Sequence, residues 1–126
     1  MLNREQEIFA ATLLVHSATY LCAVQADTIL QATTHDRFKH VNQNIRSASW
    51  IARLIRNAFA HNPFAPVWKT YPECENQIYS VENVISLNTA GLNGKPVRRL
   101  DYGGPLALLC LSDFVKEVAE EAGHPQ

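Results

Sequence analysis

The stretch from Asn3 to Thr33 contains neither glycine nor proline. Within it Ile8, Ala11, Val15, Ala18, Cys22, Ala26 and Ile29 recur at helical spacing, and Phe9, Leu13, Leu14, Leu21 and Val24 widen the stripe. This pattern predicts a helix buried over much of its girth. Asn3 followed by Gln6 at the third position forms a capping-box pattern that starts it. A helix of about 30 residues spans ~45 Å, longer than the average globular helix. A chain that opens this way is expected to pack helix against helix in a bundle.

The rest of the chain supplies the partners. Thr33-Thr34-His35-Asp36 breaks the first helix, and Asp36 or Thr34 suits the cap of a second that runs to about His61. Val41, Ile45, Ala48, Ile51, Ala52, Ile55 and Phe59 form its apolar face, while Asn42, Arg46, Arg53 and Asn57 gather on the other side. Pro63, Pro66 and Pro72 forbid a continuing helix. A hairpin is expected at about 83–101. Its first strand is Val84 to Thr89, its turn Asn93-Gly94, and its return strand Val97 to Leu100, which Pro96 confines to an edge. Gly103-Gly104-Pro105 opens a last helix with Ala107, Leu111, Phe114, Val115, Val118 and Ala122 inward and Gly123 at its end. The fold class is therefore all-α, an up-and-down helical bundle of long helices with a small hairpin inserted, in a single domain over 1–126.

Composition limits what such a bundle can do. Of 126 residues, 47% are apolar and 18% charged, which suits a globular chain. A formal charge of −1 argues against coating nucleic acid by bulk electrostatics and leaves only a local basic groove. Cys22, Cys74 and Cys110 are odd in number and unpaired in spacing, which suits thiols in a reducing, cytoplasmic setting. No apolar run is expected to approach the ~20 residues of a membrane span. Ala23-Val24-Gln25-Ala26 looks like a leader cleavage site, but Glu5 and Glu7 outnumber Arg4 where a leader would be positive. The segment reads as a helix, with no membrane partner.

The end of the second helix carries the chemistry. Arg56 and His61 are separated by four residues, with Asn57 directly after the arginine and Pro63 closing the segment. Arginine presents a planar fork of donors to phosphate oxygens, and histidine gains or loses a proton near neutral pH. This Arg-Asn-x-x-x-His run, at the end of a long helix that follows another long helix, resembles the signature of the HEPN superfamily. The resemblance covers the helical framework, and its specific residues are Arg56, Asn57 and His61. It implies a dimeric helical bundle and, in active members, a metal-independent endoribonuclease whose arginine and histidine line a cleft between protomers. His61 would then act in acid–base catalysis, Arg56 would hold the scissile phosphate, and Asn57 would orient one or the other. The products would be a 2′,3′-cyclic phosphate and a 5′-hydroxyl. A homodimer with RNA as substrate is the expected assembly, and a toxin-type role would add an operon-encoded antitoxin. His61 is followed by Asn62 and Pro63, so the histidine-x-tyrosine extension of one branch of the superfamily is missing.

Other readings stand beside this one. The same cleft suits a non-catalytic module that binds RNA or a nucleotide, and excess apolar surface alone suits a plain dimeric interaction protein. His61 in a last helical turn favours the helix dipole, and Arg56 has Glu73 or Glu75 as candidate ion-pair partners. Five residues on an ideal helix rotate by about 140°, so Arg56 and His61 face apart unless the helix loosens or two copies combine. Arg46, Arg53 and Trp50 are the candidate RNA-binding strip, the indole offering a stacking surface. His16, His35 and His40 form no metal site with a nearby acid, and no cofactor is expected. His16 reads as a core or interface histidine, and Trp68 as loop packing.

Overall fold

The computed structural model describes residues 1–123. Its helices are α1 (Arg4–Thr33), α2 (Gln43–His61) and α3 (Gly104–Ala122), and an antiparallel pair, β1 (Ile78–Val81) and β2 (Ile85–Asn88), is the sheet among the described residues. The fold is thus mostly helical with a small two-stranded addition. α1 and α2 run antiparallel: His16 of α1 lies against Phe59 and Pro63, while Asp27, three turns further along α1, meets Arg53 and Arg56. α1 also packs on α3, β1 covers α2, and β2 reaches both α2 and α3. Leu30, Ile51, Leu54, Ile55, Leu87, Leu111, Val115 and Trp68 are sealed in the shared core. Each such aliphatic side chain contributes roughly 1.5–3 kcal/mol by burial.

The capping box at the start of α1 forms as the sequence indicates, with Asn3 accepting from the Gln6 amide and Gln6 accepting from that of Asn3. The inward stripe is different. Thr19, Ala23, Ala26, Asp27 and Leu30 are buried, whereas Ile8, Phe9, Leu14, Val15 and Leu21 are exposed. α1 is apolar nearly all round, so its hydrophobic residues do not identify the core face, and the buried face includes a threonine and an aspartate. The first half of the helix leaves most of its apolar side chains exposed. By length and composition α1 is also long and apolar enough to cross a membrane: its mean hydropathy reaches 1.5 over 18 residues, of which 11% are buried. This corrects the expectation that no segment would qualify. The charged residues of α1 are Arg4, Glu5 and Glu7 at the start and Asp27 near the end, so the stretch between them stays apolar on average.

α2 begins later than its apolar pattern suggests. Asn42 is the N-cap, accepting from the amides of Asn44 and Ile45. Asp36 instead takes a left-handed conformation (φ 52°) ahead of a 3₁₀ turn at Arg37–Lys39, and Val41 is 96% exposed. That turn sets Arg37 against Asp27.

The hairpin is shifted as well. Tyr79 and Val81 pair with Leu87 and Ile85 and point inward, around a loop with Asn83 at φ 61°. Asparagine tolerates this left-handed geometry, so the turn lacks a glycine signal. Asn93-Gly94 does turn the chain, but it brings residues 95–97 back onto 66–68. There the Trp68 amide donates to Lys95, the Val97 amide donates to Pro66, and Val67 faces Pro96. Residues 99–101 form a 3₁₀ turn in place of a return strand. Asp101 anchors it by accepting from the Trp68 indole at 2.8 Å and from the Arg98 amide. α3 opens at Gly104 with Pro105 in its first turn, and the positive φ of Gly103 and Gly104 makes the corner.

Candidate active site

The candidate site is organised by Asp27, which lies on the buried stripe of α1 with Ala23, Ala26 and Leu30. Its side chain is 3% exposed and holds three guanidiniums. Arg37 Nη1 donates to Asp27 Oδ1 at 2.7 Å and to the Asp27 carbonyl at 2.7 Å. Arg53 Nε donates to both carboxylate oxygens, at 3.3 and 3.1 Å, and Arg56 Nη1 donates to Oδ2 at 3.1 Å. A buried carboxylate is costly unless paired, and charge-assisted bonds of this kind offset that cost. Burial pushes the Arg37 guanidinium down from its ordinary range, against the opposing pull of Asp27, and the nearby charges of Arg53 and Arg56 push the same way as burial. Neither Glu73 nor Glu75 pairs with Arg56; Asp27 takes that role.

Arg56 therefore arrives at the surface already oriented. Its side chain is 39% exposed, and Nη1 is the nitrogen tied to Asp27, so the rest of the fork can face a ligand. Beside it, Asn57 Nδ2 donates to the Tyr71 hydroxyl at 2.8 Å, fixing the amide toward the loop after α2. His61 is the last residue of α2 and is exposed. Among the described residues no hydrogen bond or ion pair joins it to Arg56 or Asn57. The chain leaves His61 by a defined route. Asn62 Oδ1 accepts from the amides of Phe64 and Ala65, the Phe64 ring stacks on Phe9 at 5.9 Å, and the Pro63 carbonyl accepts from His16 Nδ1 at 2.7 Å. Because a carbonyl can only accept, His16 carries its proton on Nδ1. Its ring also meets Phe59 edge-on at 5.4 Å.

The basic strip beside the motif is already engaged within the fold. Arg46 Nη1 donates to the His40 carbonyl at 2.7 Å. Arg53 is held by Asp27 and lies 5.6 Å from the centre of the Phe38 ring. Trp50 is half-buried, with Phe38 at 4.4 Å, Tyr79 at 6.1 Å and Tyr71 at 6.0 Å. Arg46 and Trp50, with Lys39, Glu73 and Tyr79, line an open cleft of about 660 Å³. Asp27 and Arg37 are the participants that the motif alone does not reveal. Asp27 does share i, i+3, i+4, i+7 spacing with Ala23, Ala26 and Leu30, but α1 is apolar nearly all round, so that spacing does not single the face out. Arg37 carries no local pattern, because its partner is ten residues away across a break.

Comparison with protein-family models, with curated proteins and with solved structures returns no match.

Proposed function

We propose that this chain is a HEPN-like endoribonuclease that cleaves RNA without a metal, as a cytoplasmic homodimer. The observation that carries the reading is the pairing of a preoriented arginine with a free histidine on one helix end. Arg56 is held from behind by a buried acid, and five residues later His61 stands exposed, its imidazole without a hydrogen-bond or ion-pair partner among the described residues. The about 140° between them is bridged when two copies meet and each supplies part of the other's site.

In such a site the base, His61 of one protomer, takes the proton of the 2′-hydroxyl as that oxygen attacks phosphorus. The P–O2′ bond forms and the P–O5′ bond breaks. The partner's His61, protonated, gives its proton to the departing 5′-oxygen. Arg56 offsets the charge that builds on the non-bridging oxygens, and its attachment to Asp27 removes most of the reorganisation this would otherwise need. Asn57, held by Tyr71, sits beside it to orient the phosphate. Exposed Phe9, Leu14 and Leu21 on α1, with Leu106 and Leu109 on α3, give a second copy apolar surface to cover. A toxin-type member would have an operon-encoded antitoxin as its partner.

A second reading is favoured by one observation: Arg46 and Trp50 line an open cleft of their own, of which His61 is not part. A module that binds RNA or a nucleotide needs the arginines but not the histidine. Incubating RNA with wild-type protein and with His61→Ala, chelator present throughout, separates the two. Chelator-resistant cleavage that is lost in the variant supports the nuclease. Equal RNA binding by both proteins with no cleavage by either supports the module.

A further inference from the structure

The charges around Asp27 do not balance. Three guanidiniums surround one carboxylate, so two positive charges are left without an anion in the ion pairs of the described residues. Two of the three, Arg37 and Arg53, line an open cleft of about 640 Å³ between the end of α1 and the turn at Arg37–Lys39. Arg56 does not line it, so the cleft is separate from the candidate catalytic groups. Thr33, Thr34, His35 and Phe38 complete its wall, and Asp36 contributes a carboxylate at the rim.

The donors in this cleft are prearranged. Arg37 is 5% exposed, and its Nη1 is the nitrogen that bonds to Asp27; none of its other nitrogens is sealed from solvent without a partner. Arg53 commits only Nε to Asp27, which leaves both terminal nitrogens of its fork. The Phe38 ring centre lies 4.5 Å from the Arg37 guanidinium carbon and 5.6 Å from that of Arg53, within cation–π range of both. Two guanidiniums that line one cleft, each tied to the same buried carboxylate, suit an oxygen-rich anion through bidentate bonds.

We infer that this cleft is a binding site for a phosphate monoester. With Asp27 and Asp36 both counted, the three guanidiniums keep one positive charge in surplus, and the three terminal oxygens of a phosphate monoester give two forks in one cleft more to hold than the two non-bridging oxygens of a backbone diester. The ligand is a terminal phosphate on RNA or the phosphate of a small molecule, and the inference holds whether or not the chain cleaves RNA.

Calorimetric titration of the full chain tests it, with inorganic phosphate and with adenosine monophosphate. Saturable binding is expected, weakened at least tenfold by Arg53→Gln. Lys116→Gln, which removes an exposed cation of α3 outside this cleft, is expected to leave it within twofold. His35→Glu places a second carboxylate at the exposed rim without touching the core, and is expected to abolish binding even if Arg53→Gln fails to fold. A pair of oligoribonucleotides with 5′-phosphate and 5′-hydroxyl ends, titrated into His61→Ala, identifies the source. A tenfold preference for the phosphorylated end assigns RNA termini, and equal affinity with retained phosphate binding assigns a small molecule. No saturable binding of either small anion, or equal weakening by Arg53→Gln and Lys116→Gln, would overturn the site. Loss of cleavage in His61→Ala with phosphate binding intact would bear on the nuclease alone.

Discussion

The two ends of the Arg56–His61 segment are built on opposite principles. At Arg56 the side chain is tied to a buried carboxylate that also holds Arg37 and Arg53, so its position is fixed by the core of the fold. Just after His61 the backbone is anchored, through His16 and Asn62, but the imidazole is exposed and uncommitted among the described residues. A group meant to hold a phosphate gains from being fixed in advance, since no reorganisation is then needed as charge develops. A group meant to pass a proton needs reach, and its final placement is left to whatever closes over it. One protomer thus supplies a finished arginine and an unfinished histidine.

Breaking the fixed end has the largest expected effect. Asp27→Ala leaves three guanidiniums without their shared acid, and removal of one partner from a buried ion pair costs about 3–5 kcal/mol. Thermal or urea unfolding should record a loss of that order, with Arg37→Gln losing more than Arg53→Gln because it is the more buried partner. The free end is tested through assembly. Leu14→Lys with Leu21→Lys, two helical turns apart on one exposed face of α1, should shift a dimer to monomer in light scattering, with cleavage falling in parallel and the unfolding midpoint of the monomer little changed. Association with lipid vesicles in place of self-association would assign that face to a membrane surface instead.

Smaller effects sharpen the same contrast. Tyr71→Phe removes the acceptor for Asn57 and should lower stability by no more than roughly 0.5–1.5 kcal/mol, since the bond is near the surface. Its effect on cleavage should be the larger fraction if Asn57 orients the phosphate, and steady-state rates decide this. At high pH the core tyrosines contribute. Burial raises the Tyr79 hydroxyl above its ordinary value of 10, helped by its hydrogen bond with Cys74, and burial raises Tyr102 too. The unfolded chain then gives up these protons first, so their contribution is whole below pH 10 and is lost as pH rises above it. Denaturation across pH 9 to 11 should show that decline, and Tyr79→Phe should make it shallower.

Much of the framework was readable from residues. The capping box, the proline after α2 and the glycine–proline opening of α3 each depend on local chemistry, and each appears where the sequence puts it. The inward face of α1 was not readable, because Ile8, Phe9 and Leu14 are more apolar than Thr19 and Asp27, yet the latter face the core. The hairpin was displaced because its turn uses Asn83 at positive φ, a weaker signal than Asn93-Gly94. At the site, Arg56, Asn57 and His61 stood out as a motif, while Asp27 and Arg37 did not. Their role depends on contacts across the break between α1 and α2, which no local pattern encodes.

The most direct test of the account is the product of single-turnover cleavage of a short oligoribonucleotide in the presence of chelator. The wild-type chain should yield 2′,3′-cyclic phosphate and 5′-hydroxyl ends. His61→Ala should lower the rate by about 10²–10⁴ and Arg56→Ala by about 10²–10³, with both variants folded. Cleavage that survives in His61→Ala, or no cleavage by a dimeric wild-type chain that binds the RNA, would contradict it.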